Sequence, residues 1–281
     1  MPGRLLVLQP HVLRDLLTSF VAWMRKRIRG IGPPPLDMSP LPFMKPLSPV
    51  PLISVVLPAY NEGGSIEHSI KAALDGEAVE VLVADGGSTD ETCAIAERAG
   101  ARVLRGCSGG RSGCLNAGAR AARGEILIFL HADTVLPAGY TAEVRAELAD
   151  PNVGIAAFHL SLAPAALGLS LISLGANLRT RWRGLPYGDQ ALSLRREAFE
   201  ALGGFPEQPL LEDLELVVRA RARAQVRLLR STVVSSSRRW QQFGVIGNTF
   251  NNQIVLLGRR LEVPVATMAA WYYGGDGTKR Y

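Results

Sequence analysis

Between residues 53 and 133 the chain alternates short apolar runs with helical segments, and this order constrains the fold more than any other feature. The apolar runs 53–57, 79–84 and 126–130 have the length and composition of buried strands, and a shorter run lies at 102–104. Repeated strand-helix units predict an α/β fold with a doubly wound, mostly parallel sheet and flanking helices.

The second half is less regular. Apolar patterns predict strands near 154–160 and 191–194 and helices near 165–182, near 212–223 and beyond residue 241. Residues 151–178 contain no Lys, Arg, Asp or Glu. Proline and small polar residues interrupt this run, so we reject a membrane span. Two interpretations stay open, namely plain core and a hydrophobic acceptor groove or interfacial surface.

Polar residues follow three of the predicted strands at their carboxyl ends. Asn61 and Glu62 follow the first strand, Asp85 the second, and His131 and Asp133 the fourth. Ligands of open α/β sheets bind outside the carboxyl ends of the strands. We therefore expect these side chains to converge on one crevice.

Five motifs lie at these strand and helix ends in a definite order. They are Val55-Val-Leu-Pro-Ala-Tyr-Asn-Glu62, Val83-Ala-Asp-Gly-Gly-Ser-Thr-Asp90, Gly110-Arg-Ser-Gly-Cys-Leu-Asn-Ala-Gly118, Phe129-Leu-His-Ala-Asp-Thr134 and Leu211-Glu-Asp-Leu214. Together they resemble the motifs of the family 2 glycosyltransferases, inverting enzymes on a GT-A fold. The resemblance runs from about residue 53 to residue 273, and the Leu-His-Ala-Asp-Thr version is similar to a poorly characterised bacterial branch.

The resemblance implies a nucleotide-sugar donor and several residues that hold it. Pro58, Tyr60 and Glu62 would form the first nucleotide loop, and Asp85 would accept hydrogen bonds from the base or ribose. The alternative for Asp85 is to stabilise the glycine turn that follows it. Arg111 opens a helix after a glycine-rich loop, where it could approach phosphate or remain a solvated charge.

The resemblance also implies a divalent metal, Mg²⁺ or Mn²⁺, at Asp133. The family has Asp-x-Asp at this strand end, whereas the first position here is His131. We therefore expect Asp133 and the diphosphate to supply most of the ligands of the metal, and the His131 imidazole to assist if the metal is Mn²⁺. The alternative is that His131 packs as a neutral side chain and Asp133 bonds to Thr134.

Two further segments receive roles from the same resemblance. Arg238 and Arg239 lie on a segment similar to the loop that covers the donor diphosphate in relatives, and a surface pair is the alternative. Asp213 is predicted to be the general base and Glu212 its supporting partner, although acids at a helix start also interact with the helix dipole. Asp189 would help to shape the acceptor side.

The charge balance argues against a nucleic-acid partner. Residues 1–50 carry seven Lys or Arg and two acids, which leaves 24 basic and 23 acidic residues for the rest of the chain. A near-neutral domain lacks the basic surface that binding to nucleic acid requires. The three cysteines form no metal or disulfide spacing, so they indicate free thiols in a reducing, cytoplasmic compartment.

The sequence predicts four regions. Residues 1–32 form an amphipathic helix with a basic end, 33–51 a proline-rich linker, 52–275 the catalytic domain and 276–281 a tail. Eight of the nineteen residues from 33 to 51 are proline, which favours a stiff connection. The helix is typical of peripheral contact with an anionic membrane. It could instead dock on its own domain or precede the true start at Met38 or Met44.

Several functions compete on this sequence. A sugar nucleotidyltransferase needs a glycine-rich phosphate loop after the first strand, and a dinucleotide oxidoreductase needs GxGxxG there; the chain has neither. A catalytically inactive, membrane-associated binding module stays open because of His131. The sequence identifies neither the acceptor, for which lipid-linked molecules are candidates, nor the oligomeric state.

Overall fold

The computed structural model describes residues 10–28, 37–42, 44–238, 240 and 244–273. The chain divides into two compact units. The larger unit holds residues 37–207 and 211–236, and the smaller holds helix α1 (Pro10–Ile28) with residues 208–210 and the described residues after 236. This division groups the last helices with α1, whereas the sequence-based boundaries place them with the sheet. The four predicted regions stay a prediction.

The larger unit is built on an eight-stranded sheet with helices around it. Its strands are β1 (Ile53–Ala59), β2 (Val79–Asp85), β3 (Arg102–Leu104), β4 (Ile126–Phe129), β5 (Thr134–Val135), β6 (Val153–Ala163), β7 (Leu192–Arg195) and β8 (Gln225–Ser236). Its helices are α2 (Ile66–Leu74), α3 (Thr92–Arg98), α4 (Gly110–Ala121), α5 (Tyr140–Leu148), α6 (Leu167–Arg183), a 3₁₀ turn (Gly188–Gln190), α7 (Arg196–Ala201) and α8 (Glu212–Arg223).

The strand order is β3-β2-β1-β4-β7-β6-β8-β5. The pairs β3–β2, β2–β1, β1–β4 and β6–β8 are parallel, whereas β4–β7, β7–β6 and β8–β5 are antiparallel. The predicted α/β class is therefore confirmed; three of the four parallel pairs lie in the first half of the chain, and the fourth, β6–β8, lies in the second half. Every residue of β1 is buried, as expected for a strand of a parallel sheet that is covered on both faces.

Two elements differ from the sequence-based expectation. The residue pattern alone predicts a helix around 115–122, after the glycine-rich loop with Arg111, but α4 already begins at Gly110, because Gly109 and Gly110 have φ angles of 84° and 68° that turn the chain into it. Strand β8 was not predicted, since charged and polar residues interrupt its apolar pattern.

An aromatic cluster joins the sheet to the segment that follows α7. The ring of Phe129 lies 4.9 Å from that of Phe199 and 4.7 Å from that of Phe205, measured between centroids. On the same side, α4 lies so close to β1 that a Cβ at Gly118 would collide with Val56. Val56, Leu115 of α4 and the three phenylalanines belong to one buried cluster, so α4 is packed on this face of the sheet.

The smaller unit contains α1, α9 (Val245–Arg260) and α10 (Val265–Tyr273). Lys26 near the end of α1 pairs with Glu262 after α9 at 3.0 Å. Several large apolar side chains of α1 are exposed, namely Leu13, Leu17, Phe20, Val21 and Met24. Of the helix predicted over residues 1–32, Pro10–Ile28 is helical, whereas 1–9 and 29–32 lie outside the described residues. Its membrane role stays a prediction. Within the described ranges, no helix has both the length and the apolar character that a membrane crossing requires.

Candidate active site

The carboxylate of Asp213 stands in the first turn of α8 and is held by two backbone donors. Its Oδ2 accepts a 2.6 Å hydrogen bond from the Gly188 N–H, and its Oδ1 accepts a 2.7 Å bond from the Leu214 N–H. Leu211 has a φ of 64° and so turns the chain sharply into the helix. The predicted base is thereby fixed in orientation and tied to the 3₁₀ turn.

Glu212, the neighbouring acid, faces the protein interior. Its carboxylate lies 3.1 Å from the Arg111 guanidinium, and its side chain is only 5% exposed. Arg111 also contacts Nε2 of His131. A buried carboxylate beside a guanidinium holds that guanidinium in place, since removal of either charge would leave the other one uncompensated. Glu212 therefore positions Arg111, which in turn meets His131.

Gly188 lies at the centre of this cluster. A Cβ at this position would lie 2.8 Å from Arg111 Nη2, 2.9 Å from His131 Nε2 and 3.0 Å from Asp213 Oδ2. Three residues that are far apart in sequence thus converge on one glycine. We call Arg111, His131, Gly188 and Asp213 the base cluster.

The base cluster lines a cavity of about 10 Å³, close to the space of one water molecule. The rest of its lining is apolar and consists of Leu115, Phe129, Leu130, Leu192 and Phe205. A sugar is far larger than this cavity, so a substrate would bind outside it. The apolar lining limits the solvation of the charges beside it.

Asp189, next to Gly188, is a carboxyl group in an unusual environment. Its Oδ1 is buried and, among the described residues, has no hydrogen-bond partner. Burial raises the pKa of Asp189 to about 6; Arg179 and Arg111 oppose this rise, and the charge of Asp213 adds to it. Two carboxyl groups thus lie near each other in an environment that favours a proton on one of them.

A second group of predicted residues lies at the ends of β1 and β2. Asp85 accepts hydrogen bonds from the N–H groups of Gly87 and Ser88 at 3.0 to 3.2 Å. Asn61, with a φ of 54°, donates its N–H to Ser88 Oγ and accepts the N–H of Thr89. The two loops are therefore joined by hydrogen bonds between side chains and backbone. We call Asn61, Glu62, Asp85 and the segment 86–90 the donor loops.

Asp90 also connects the two loops by hydrogen bonds. Its Oδ1 accepts the N–H of Thr92 at 2.9 Å, and its Oδ2 accepts that of Gly63 at 3.2 Å. Burial opposes ionisation, but the hydrogen bonds from Thr92 and Gly63 hold the pKa of Asp90 below its ordinary value. The segment Ser88-Thr-Asp-Glu91 has the sequence pattern of a capping box. That pattern does not form here, because Ser88 Oγ accepts the N–H of Asn61 and the N-cap position of α3 is Glu91, with no side-chain cap bond.

The other predicted donor residues are placed as follows. Pro58 is buried within β1, and Tyr60 and Glu62 are half-buried in the loop after it. Ser65 donates a 3.2 Å hydrogen bond to the Glu62 carboxylate at the start of α2. Their nucleotide contacts stay a prediction, as does the alternative of a purely structural role.

Asp133 lies in the turn between β4 and β5. Its backbone carbonyl accepts the N–H of Ser236 at 3.1 Å, which fixes the turn to the end of β8. Thr134, the alternative partner of its carboxylate, donates its hydroxyl to Ser235 instead, at 2.9 Å. In the part of the chain that the structure describes, no three His, Cys, Asp or Glu side chains are grouped so that they could hold a metal ion.

The remaining predictions fall on the smaller unit and on the cysteines. Arg238 is exposed in the smaller unit, and Arg239 lies outside the described residues, so their roles stay predictions. All three cysteines are free thiols. Burial raises the pKa of Cys93 to about 11 and that of Cys114 to about 12, so neither thiol is a nucleophile near neutral pH.

The sequence analysis missed one residue of the base cluster, Gly188. Its importance depends on the close approach of three side chains, which no local pattern reveals. A signal was available in Tyr187-Gly-Asp-Gln190, where a glycine next to an acid precedes a short strand.

Comparison with known proteins now gives the family. The family model described as Glycosyl transferase family 2 matches residues 54–165. A glycosyltransferase of Mycobacterium tuberculosis with no characterised function is 35% identical over 185 residues, which are 60% of this chain and 79% of that protein. The chain belongs to family 2 of the glycosyltransferases. It is therefore an enzyme of the glycosyltransferase class, as the motifs predicted.

Other relatives match over shorter parts. An uncharacterised M. tuberculosis protein is 36% identical over 132 residues, which are 43% of this chain and 40% of that protein. The beta-monoglucosyldiacylglycerol synthase of Synechocystis is 28% identical over 193 residues, which are 61% of this chain and 40% of the synthase. The chain thus spans less than half the length of these two relatives.

Solved structures agree with the fold. The mannosyltransferase of Pyrobaculum calidifontis, in complex with GDP-Man and Mn²⁺, has a TM-score of 0.55 and 20% identity, and the match covers 95% of this chain and 79% of that one. Glucosyl-3-phosphoglycerate synthase of M. tuberculosis, in complex with Mn²⁺, UDP and phosphoglyceric acid, has a TM-score of 0.54 and 21% identity over 82% of this chain and 88% of that one. The GT-A type of α/β fold is thereby confirmed.

Proposed function

We propose that the larger unit moves a sugar from a nucleoside-diphosphate sugar to an acceptor hydroxyl with inversion, and that Asp213 is the general base. The observation that carries this proposal is the fixed carboxylate of Asp213. Gly188 and Leu214 orient it, and Arg111 and His131 lie around the same glycine. A general base that accepts a proton in the transition state is more effective when its orientation is fixed before the reaction.

The reaction would be one displacement. The acceptor oxygen forms a bond to the anomeric carbon while the bond from that carbon to the diphosphate oxygen breaks on the opposite face. Asp213 takes the proton of the acceptor hydroxyl, and the bond electrons leave with the nucleoside diphosphate. Attack from the opposite face inverts the configuration at the anomeric carbon.

Glu212 would act as a positioning residue in this scheme. Its buried carboxylate holds Arg111 at 3.1 Å, and Arg111 contacts His131. The guanidinium stays charged at every physiological pH. It would therefore supply a fixed positive charge near the reacting groups, which stabilises the developing charge of the leaving group.

The donor loops would hold the nucleotide. Each oxygen of the Asp85 carboxylate has two lone pairs, so it can accept a hydrogen bond from a base or ribose besides those of its own turn. The bonds from Asn61 to Ser88 and Thr89 hold both loops in place before a ligand arrives. The structural relatives in complex with GDP-Man and with UDP bind different nucleotides, so the base specificity of this chain stays open.

A divalent cation, Mg²⁺ or Mn²⁺, would bind at Asp133. One carboxylate fits a cation that takes most of its other ligands from the diphosphate and from water, as hard cations in phosphate sites do. When bound, such a cation neutralises charge on the leaving diphosphate. His131 would contribute less than a second acid, because its Nε2 already meets Arg111.

The proposal also includes peripheral contact of the smaller unit with the cytoplasmic face of a membrane. Leu13, Leu17, Phe20 and Met24 recur at helical spacing on α1 and are all at least 41% exposed. An exposed apolar face on a helix with basic residues suits the surface of an anionic bilayer. A lipid-linked acceptor would agree with this location, and one relative is named as a diacylglycerol glycosyltransferase.

The decisive test uses slow hydrolysis of a panel of nucleotide sugars, since water can replace the unknown acceptor. Asp213→Asn keeps the shape but removes the proton acceptor, so hydrolysis should fall roughly 10²- to 10⁴-fold. Nucleotide affinity, measured by calorimetry, should stay within about threefold of the wild type, a change worth less than about 1 kcal/mol.

Glu215→Gln, at the next acid of the same helix, is the matched control and should leave hydrolysis unchanged. If Glu212→Gln abolishes turnover while Asp213→Asn is active, the base is the preceding residue. Activity in both variants would contradict the mechanism. A wild type that binds nucleotide but turns over no donor would favour the inactive binding module.

A further inference from the structure

Helix α6 presents its large apolar side chains to solvent. Leu167, Leu171, Leu174 and Trp182 are 82%, 61%, 53% and 76% exposed. At 100° per residue these four side chains and the half-buried Leu178 fall within an arc of about 80°. They form a continuous band along the helix, which we call the α6 stripe.

The opposite face of α6 is the one that packs on the larger unit, and most of its residues are small or polar. It consists of Leu169, Ser173, Ala176 and Thr180. The hydroxyls of Ser173 and Thr180 donate to carbonyls four residues earlier in the helix, at 3.0 and 3.1 Å. The usual amphipathic arrangement is therefore inverted. Large exposed apolar bands of this kind are typical of surfaces that another phase or molecule covers.

All charged residues of α6 itself are basic. Residues 151–188 contain no Asp or Glu, and the helix ends in Arg181-Trp-Arg183. Arg181, Trp182 and Arg183 are all exposed. Arg221 of α8 lies near the same end, since its Cδ would be 3.6 Å from a Cβ on Gly184. A leucine band with a tryptophan and arginines at its end matches the boundary between acyl chains and anionic headgroups.

We propose that the α6 stripe docks the larger unit on an anionic lipid bilayer. The leucines would enter the boundary of the acyl chains, and Arg181 and Arg183 would bind lipid phosphates. A second copy of the chain is a poorer partner, because its own stripe offers no acid to these arginines. This proposal concerns the unit with the sheet and is separate from the contact proposed for α1.

The α6 stripe is on the opposite side of helix α6 from the 3₁₀ turn of residues 188–190, which carries Gly188 of the base cluster. Thr180 Oγ1 donates to Gln190 Oε1 at 2.8 Å, and the Arg179 guanidinium lies 3.6 Å from the centre of the Tyr187 ring. A helix is about 10 Å thick with its side chains. If the proposed function holds, on which this step rests, the acceptor hydroxyl belongs to a lipid held in that bilayer.

Vesicle flotation of the full chain tests the docking surface. The vesicles contain phosphatidylcholine either alone or with phosphatidylglycerol. Leu171→Ser with Leu174→Ser should weaken binding roughly 100-fold, because each leucine contributes about a factor of ten or more. Val50→Ser is the matched control, since Val50 is 50% exposed in the same unit but lies outside α6. It should bind like the wild type.

The charge of the helix end is tested separately. Arg181→Gln with Arg183→Gln should weaken binding to the anionic vesicles roughly 30-fold and leave the weak binding to phosphatidylcholine unchanged. Brominated lipids should quench the wild-type fluorescence, and Trp182→Phe should remove much of that quenching. Circular dichroism and nucleotide-sugar hydrolysis should match the wild type in every variant, so a failure of docking is distinct from a failure of the proposed function.

Three results would overturn the docking proposal. The first is a wild type that does not float with anionic vesicles. The second is unchanged binding when Leu171 and Leu174 are both serine, or when Arg181 and Arg183 are both glutamine. If Leu17→Ser then abolishes binding, α1 is responsible for all of it. The third is a wild-type dimer that the serine pair converts to a monomer, since the stripe would then be covered by a second copy.

Discussion

The donor loops and the base cluster are built in opposite ways. Hydrogen bonds between side chains and backbone join the donor loops, and they link only two segments of the chain, as between Asn61 and residues 88 and 89 and between Gly63 and Asp90. The base cluster instead brings side chains from three separate segments to Gly188 of a fourth, with an ion pair of Glu212 and Arg111 behind it. Small changes should therefore be tolerated in the first region and should misplace several groups at once in the second.

Among variants that keep Asp213, the largest effect is expected at the centre of the base cluster. In Gly188→Ala the new methyl group would lie 2.8 to 3.0 Å from Arg111, His131 and Asp213, so all three must move. Misplacement of catalytic groups by about 1 Å costs about 100-fold in rate, so donor hydrolysis should fall by about this factor. Gly64→Ala, in the donor loop where a Cβ meets nothing within 4 Å, is the matched control. Equal rates in the two variants would show that the cluster is not needed.

The next effect concerns pH and the buried carboxyl of Asp189. Its pKa of about 6 lies above the ordinary value of 3.8, so the folded protein binds this proton more tightly than the unfolded chain does. The contribution is fully present below about pH 4 and is lost as the pH rises through 6.

Chemical denaturation of the wild type and of Asp189→Asn checks this sign. The free energy of unfolding of the wild type, relative to the variant, should fall by on the order of 2 kcal/mol between pH 4 and pH 7. Asp75→Asn, at an exposed acid after α2, is the control. The difference in free energy of unfolding between the wild type and this variant should not fall between pH 4 and pH 7. A difference that grows with pH would mean that Asp189 is ionised and stabilised instead.

The smallest effect is expected on the donor side, at Asp133. Asp133→Ala should lower the affinity for nucleoside diphosphate in Mn²⁺ by about tenfold, which corresponds to about 1.4 kcal/mol. In chelator, the variant and the wild type should bind equally. Calorimetry with and without Mn²⁺ measures both affinities. Equal binding by the wild type in chelator and in Mn²⁺ would remove the metal from the account.

The difference between the regions also explains what the sequence could predict. Asn61, Asp85 and Asp133 follow apolar strands, so their place at the carboxyl edge follows from local patterns and the order of strands. Glu212 and Asp213 could be named from a motif. The inward direction of Glu212 could not, because it depends on Arg111, about a hundred residues earlier.

Tertiary packing hid two other features. Strand β8 escaped prediction because its apolar positions alternate irregularly with arginines and serines. The helix α6 was predicted, but its sequence does not say which face packs inward, since a hydroxyl such as that of Ser173 can be satisfied within the helix. A pattern of leucines was consistent with core, and only the structure places them in solvent.

The central claim is a single displacement at the anomeric carbon with Asp213 as the base. Proton NMR of the sugar first released from an α-linked nucleotide sugar tests it most directly, when spectra are recorded before the anomers equilibrate. The account predicts that the β-anomer appears first in the wild type and that Asp213→Asn forms it far more slowly. First release of the α-anomer would contradict the claim, because it requires two displacements and a covalent intermediate.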